Sequence, residues 1–375
     1  MNNYHKRINE LRSYMLEKSI SLSIVTDPDH QYFLTGFKAF TYSRPITLLI
    51  DEKRTQFIIP SLEENHAHKA VVDDLQVYFE YEVDKGSNSY FTTLKNAIES
   101  VSSQTLALDI DSAPITLTQY VIPQSATIKD IGQRIVEMRY IKEDEEIEHI
   151  REASRWINQA MQVSLQYSKP GVSELEIDDQ GNSFLYSEIP KTHPNSTIQI
   201  IGMSPSGTER SVMPHVFSNS RKLQKGDVMI HTRQVGIDGY RTELERTIFI
   251  GEPTNKQKKA FNTMVEAQSA AIEALKPGVR AGDIDDIARN IFIREGYKDY
   301  AVHRTGHGIG LSPHEEPYIR FDNDLIIQER MVFTIEPGIY IPNVGGFRHS
   351  DTLVVSRYGC EWLTDYPRDL ESLIL

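Results

Sequence analysis

The chain reads as two domains in series: an α/β domain over residues 1–138, then an α+β domain over residues 139–375 that carries an internal duplication. Three observations predict this. Short β-rich runs alternate with helical stretches through the first third, the pattern of a partly parallel sheet. A long charged helical pattern over 142–167 opens the second part. Finally, Lys169–Asp179 and Lys276–Asp286 agree at seven of eleven positions without a gap, and each lies between two helical patterns. Lys-Pro-Gly alone is a common helix stop, but the agreement runs on through Ile-Asp-Asp. Two related halves packed about a pseudo-twofold axis would leave a cleft between them. A length of 375 residues suits two domains.

Element by element, Tyr4, Ile8, Leu11 and Met15 fall at steps of three and four, which places them on one helix face. Strands are predicted at Ser23–Val25, Ile46–Asp51, Gln56–Ile59, Val77–Tyr81 and Thr105–Ile110, with helices at about 61–71 and 89–102. In the 142–167 helix, Ile147, Ile150, Ala153, Ile157, Ala160 and Met161 share a side, and Lys169-Pro170-Gly171 ends it. The acidic run Glu143–Glu148 predicts a solvated face. His66 and His68 read as surface residues.

Composition excludes several functions. Lys and Arg number 40 against 53 Asp and Glu, a net charge of −13, which argues against a partner held through a phosphate backbone. No apolar run reaches the roughly 18–20 residues of a membrane helix. Residues 1–20 carry charges throughout and lack the apolar block of a secretion signal. The single cysteine, Cys360, can form neither an intrachain disulfide nor a thiolate zinc site. A cytoplasmic globular protein is expected, acting on a small molecule, with no nucleic-acid or membrane partner.

Groups that catalysis uses concentrate in four stretches of the second part: Met213-Pro214-His215; Gly226 to Thr232 with Gly239 to Thr247; His303 to Leu311 with Pro313 to Pro317; and Thr334 to Tyr340 with Gly345 to Asp351. Within them His215, His307 and His314 join Glu243 and Glu336 in turn- and strand-like contexts. His307 is flanked by glycines, which suits a side chain that must be closely approached. Glu336 follows the apolar run Met331–Ile335, and a carboxylate at the end of a buried strand is costly unless paired or bound to a metal. One such histidine alone is usually structural; together the groups predict a site.

These stretches resemble the creatinase, prolidase and methionine aminopeptidase family, the pita-bread fold, strongly over 140–375 and more loosely over the first 138 residues. The resemblance implies a homodimeric hydrolase. Metallopeptidase members of that family hold two divalent metals with two Asp, one His and two Glu. Here the first Asp falls on Thr232, the second on Glu243, the His on His307, the first Glu on Glu336 and the last Glu on Ser350. Too few carboxylates remain to hold two dications against their mutual repulsion. One metal (Mn, Co or Zn) on Glu243, His307 and Glu336 is chemically reasonable, and no cofactor at all is the preferred expectation. Strand alternation turns the reserve ligand His231 away from Thr232.

Creatinase, the family member that cuts a C–N bond without metal, is similar at other positions. Glu245 stands at its substrate glutamate, His215 at its catalytic histidine and Arg320 at an arginine that holds the substrate carboxylate. Tyr42-Ser43-Arg44-Pro45 resembles a loop that crosses a dimer into the partner's site, and a second substrate glutamate falls on His349. Read from the residues alone, Arg320 and Arg44 also suit exposed surface arginines, and Glu245 suits an ion pair with Arg246. The expected function is hydrolysis of a C–N bond in a small carboxylate-bearing amide, amidine or dipeptide-like substrate, without a dinuclear metal centre. His215 would be the proton shuttle. Glu243, Glu245 and Glu336 would orient water and a cationic nitrogen, and His307 and His314 would donate to the oxyanion. Arg320, Arg44 and His349 would contact the substrate. The alternatives are an Xaa-Pro dipeptidase or aminopeptidase with one metal, and a non-catalytic binding protein on a peptidase scaffold.

Overall fold

The computed structural model describes residues 3–80, 89–101 and 105–375; Tyr81 and residue 102, assigned above to a strand and a helix, lie outside them. The chain divides into two compact units, Met1–Arg139 and Tyr140–Leu375. The first contains α1 (Asn3–Glu17), β1 (Leu22–Val25), α2 (Pro28–Thr35), β2 (Thr47–Asp51), β3 (Thr55–Pro60), α3 (Glu64–Ala67), β4 (Asp74–Tyr78), α4 (Tyr90–Glu99), β5 (Thr105–Leu108), α5 (Ile115–Tyr120), β6 (Thr127–Asp130) and α6 (Gly132–Met138). Its six-stranded sheet has the order β4-β3-β2-β1-β5-β6. The pairs β3–β4, β1–β5 and β5–β6 are parallel, and β1–β2 and β2–β3 antiparallel. Ile8, Leu11 and Met15 are buried, as their spacing requires. The short elements α2, α5, β6 and α6 go beyond the predicted pattern, because a segment of eight residues or fewer shows no period. Of these, α2 carries the local signals: Asp27 caps its first N–H groups, Pro28 starts it, and Gly36 ends it at φ 75°.

The second unit contains α7 (Asp144–Tyr167), α8 (Glu174–Thr192), β7 (Ile198–Met203), α9 (Gly207–Arg210), β8 (Val228–Ile237), β9 (Tyr240–Phe249), α10 (Asn255–Ala274), α11 (Ala281–Arg294), β10 (Gly306–Gly308), β11 (Glu315–Ile319), β12 (Val332–Ile335), β13 (Gly338–Ile341), β14 (Gly345–Arg348), β15 (Ser350–Ser356) and β16 (Gly359–Trp362). An eight-stranded sheet runs β11-β10-β12-β15-β9-β8-β7, with β16 against β15, while β13 and β14 form a separate hairpin. The longest strands, β8 and β9, join through Asp238-Gly239, at φ 49° and 88°. Positive φ at both positions, with an Asp-Gly sequence, is the tight hairpin turn that matches strand twist. It fixes the register of the pair and therefore which side chains share a face.

The duplicated segments fold alike. Gly171 and Gly278 take φ 90° and 89°, and each donates its N–H to a facing carbonyl, Leu223 O at 2.9 Å and Ile327 O at 2.9 Å. Those facing residues donate back to Val172 and Val279. The following aspartates are buried in both halves. Asp178 accepts from Ser204 Oγ at 2.6 Å; Asp285 accepts from Thr305 N and Oγ1 at 3.0 and 2.7 Å. The acidic run is not wholly solvated as expected. Glu146 closes a capping box with Glu143, is buried, and accepts from Tyr240 Oη at 2.7 Å. The helix start needed a carboxylate there, and β9 covered it.

Asp285 also pairs with Arg289 (Nε, 2.9 Å) and is fully buried, while Thr305 O accepts the Glu336 N–H at 2.7 Å. Asp285→Ala would leave two buried Thr305 donors unmatched and remove one acceptor from Arg289, which keeps Ala301 O and His303 O. A loss of about 1–3 kcal/mol is expected for buried groups left unsatisfied, read as a lower urea midpoint with unchanged slope.

Candidate active site

The site is built on the β8–β9 hairpin. In its register Thr232 lies opposite Glu245 and Gln234 opposite Glu243. Period-two alternation puts all four side chains on one face, and His231, Arg233, Leu244 and Arg246 on the other. Both cross-strand pairs are hydrogen-bonded. Thr232 Oγ1 donates to Glu245 Oε1 at 2.7 Å, and Gln234 Nε2 donates to Glu243 Oε2 at 2.5 Å. From β15, Ser350 Oγ donates to Glu243 Oε1 at 2.7 Å. Arg348, at the end of β14, grips Glu245 with two nitrogens, Nε on Oε2 and Nη2 on Oε1. Its Nη1 donates to Tyr340 Oη at 2.9 Å, and its Nε lies 3.6 Å from Glu336 Oε2. Glu245 and Arg348 are both almost completely buried, so the pair holds only because both partners are hydrogen-bonded.

Glu336, leaving β12, reaches His307 on β10: Oε1 lies 3.2 Å from His307 Nε2 and 3.8 Å from His303 Nε2. His307 Nδ1 lies 2.8 Å from Gly308 O. A carbonyl only accepts, so Nδ1 carries the hydrogen and Nε2 of a neutral ring is a bare lone pair. Two lone-pair atoms facing each other at this distance require a proton or a metal ion between them. The His314 ring stacks on His307 at 4.0 Å between centroids, and the His215 ring follows at 6.4 Å from His314. These two rings are exposed, so a row of three imidazoles leads from buried Glu336 to solvent. Arg304 Nη2 donates to His314 Nδ1 at 3.1 Å, which leaves His314 Nε2 as its N–H donor. The loop carrying His215 is pinned by buried Glu174, which accepts from Ser206, Arg210 and Asn219.

Electrostatics separates the two free carboxyls. Burial pushes Glu243 up to about 7, helped by Glu336 and Glu245. Burial acts on Glu336 in the same sense, but His303, His307 and Arg348 outweigh it and hold it well below the usual carboxylate range. His307 is raised despite its burial, because Glu336 favours its charged form. Burial lowers His303 and His314 to about 4, so both are neutral at neutral pH.

Residues 148–357 match the family described as Metallopeptidase family M24, and residues 7–141 the Creatinase/Prolidase N-terminal domain. The chain belongs to the M24 family. It is a hydrolase of the two-domain pita-bread fold. It is 32% identical to the "Putative dipeptidase YkvY" of Bacillus subtilis over 97% of this chain and 99% of that one. An Xaa-Pro dipeptidase from Bacillus anthracis superposes with a TM-score of 0.84 at 29% identity, covering 100% of both chains. A prolidase from Thermococcus sibiricus reaches 0.88 at 28%, covering 99% of both.

Against the family pattern, His215, His307, His314, Glu243, Glu245 and Glu336 lie in the arrangement just described. His349 and Glu245 are placed differently from expectation. His349 lies between Arg348 and Ser350 and so points the other way, packing edge-on against Phe261 of α10 at 5.1 Å; it is on the wrong face to contact a substrate beside Glu243. Glu245 is saturated by Arg348 and Thr232 rather than open to a substrate nitrogen, and it makes no ion pair with Arg246, which pairs behind the sheet with Asp351 at 2.8 Å. Arg320, just past β11, is exposed and bound to Asp322 (Nη2, 3.0 Å). Arg44, in the first unit, pairs with Glu80 at 2.6 Å. Gln234, Arg348, Tyr340 and His303 were not singled out from sequence. Gln234 and Arg348 lie two residues from Thr232 and Ser350, so strand period was the signal that could have found them. Among the described residues, Glu243, His307 and His314 offer donor atoms within 4.8 Å of one another, as do Glu243, Glu245 and Glu336.

Because the folded-state value of Glu243 is raised above its unfolded one, folding takes up a proton between the two values. Its stabilising contribution is complete below about pH 4.5 and is lost as pH rises through about 7. In chelator-treated protein, Glu243→Gln is therefore expected to gain stability relative to the unsubstituted chain across that window. Urea unfolding at several pH values measures this, and a pH-independent difference would contradict the shift.

Proposed function

We propose that this chain hydrolyses the C–N bond of a small, carboxylate-bearing, dipeptide-like substrate at a site that holds no more than one divalent cation. The observation that carries the limit is the wiring of Glu245. Thr232 and Ser350, which occupy metal-ligand positions by resemblance, spend their hydroxyls on Glu245 and Glu243. Arg348 then occupies Glu245 from both oxygens and stands 3.6 Å from Glu336. A second dication would meet a fixed guanidinium and two neutral hydroxyls, with no carboxylate left to bridge it.

A single ion suits the donors that remain. Glu243 has donor atoms within 4.8 Å of those of His307 and of Glu336; these three would hold it, and it would supply Lewis acidity toward a carbonyl or water. The remaining work belongs to side chains. His314, fixed by Arg304, donates from Nε2 to the oxygen that gains charge as the carbonyl is attacked. His215, at the exposed end of the imidazole row, takes a proton from water and returns one to the leaving nitrogen. Buried Arg348 holds Glu245 in place from both oxygens, and with it the carboxylate face of the hairpin. The Xaa-Pro dipeptide class is suggested by the solved relatives.

Elemental analysis of protein purified without chelators, with hydrolysis of Xaa-Pro dipeptides in added manganese or cobalt, tests this reading. No more than one equivalent of metal, with cleavage, is expected; two equivalents would overturn the limit. Inactivity across dipeptides, amides and guanidino compounds would favour a binding protein. Thr232→Asp with Ser350→Glu is expected to add capacity for a second ion. His215→Ala is expected to lower turnover by about 10²–10⁴-fold, and full turnover would remove its role as shuttle.

A further inference from the structure

Gln234 has one satisfied end and one that is not. Its Nε2 donates to Glu243 Oε2 at 2.5 Å, and the residue is only 4% exposed. With Nε2 spent on Glu243, the carbonyl oxygen of the amide is the end left over. That oxygen, Oε1, is buried without a hydrogen-bond partner. Leaving a buried acceptor unmatched is costly, and such groups call for an explanation. Among the other buried atoms of the site without a hydrogen-bond partner are His307 Nε2 and Glu336 Oε1, which face each other at 3.2 Å. Both are lone-pair atoms suited to a cation. Glu243 links the two sets: it is bonded to Gln234 and has donor atoms within 4.8 Å of those of His307 and of Glu336.

We propose that Gln234 Oε1 is the fourth protein donor of the cation site, replacing part of what Thr232 and Ser350 do not supply. The inference rests on the one-cation reading above. Its consequence is selectivity. Two carboxylates, a carboxamide oxygen and one imidazole form an oxygen-rich set that suits Mn²⁺ better than the softer preferences of Zn²⁺. In this chain the hairpin register sets Gln234 opposite Glu243, and its amide oxygen would add a donor without adding a further charge.

Equilibrium binding of Mn²⁺ to chelator-stripped protein, followed by the paramagnetic signal of the free ion, tests this without any substrate. The unsubstituted chain is expected to bind one ion. Gln234→Leu is expected to weaken Mn²⁺ by about 10–100-fold, and Zn²⁺ by less. Gln234→Glu, which keeps an oxygen and loses the N–H, is expected to bind Mn²⁺ at least as tightly as the unsubstituted chain. If the unsubstituted chain binds no ion, the one-cation reading falls and this inference with it. If it binds one and Gln234→Leu binds equally well, only the role of Gln234 is overturned. If both variants lose Mn²⁺, the amide matters through its N–H on Glu243, and the donor role is overturned. Should Gln234→Leu fail to fold, as judged by circular dichroism, weaker binding by Gln234→Glu alone overturns it.

Discussion

The contact on which the site depends is the buried pairing of Glu245 with Arg348. Two hydrogen bonds from a planar guanidinium to one carboxylate, both groups out of water, are stable only when every remaining lone pair and N–H is also engaged. Thr232 takes a second bond to Glu245 Oε1 and Tyr340 Oη accepts from Nη1. The interaction ties β8, β9, β13 and β14 together. It also sets the charge of the face, because one carboxylate of three is permanently neutralised by a group that cannot leave. What remains for chemistry is Glu243, Glu336 and the histidines.

The second constraint is the duplication. Each half places a buried aspartate after a Lys-Pro-Gly-Val turn, and each aspartate clamps a hydroxyl residue. In the second half that residue is Thr305. Its carbonyl holds the Glu336 backbone, and it precedes His307 by two positions, across Gly306. The Glu336–His307 contact is thus positioned from the helix side by Asp285, while the β8–β9 hairpin positions Glu243 and Glu245. The two groups of ligands come from different halves of the repeat and meet over one sheet.

Much of this was legible beforehand. Strand and helix alternation gave the α/β first part, and the repeated eleven residues pointed to paired halves. The motifs around Glu243, His307 and Glu336 identified the family, and the missing carboxylates at Thr232 and Ser350 were visible by inspection. His349 and Glu245 depart from what their motif positions imply because the partner waiting on a face is not written in the motif; for His349, strand alternation also turns the ring to the face opposite Arg348 and Ser350. His349 met Phe261, and Glu245 met Arg348. The solvated reading of the acidic run at 143–148 failed for Glu146 in the same way, because Tyr240 lies far away in sequence.

The sequence by itself determined the fold class, the family and the charge inventory, because hydrophobic period, turn chemistry and residue type are local properties. Tertiary structure decided which charges neutralise one another. Whether a carboxylate is free, shared or saturated depends on the groups that strand register and helix packing deliver within about 3 Å of it, and those arrive from positions a hundred residues apart.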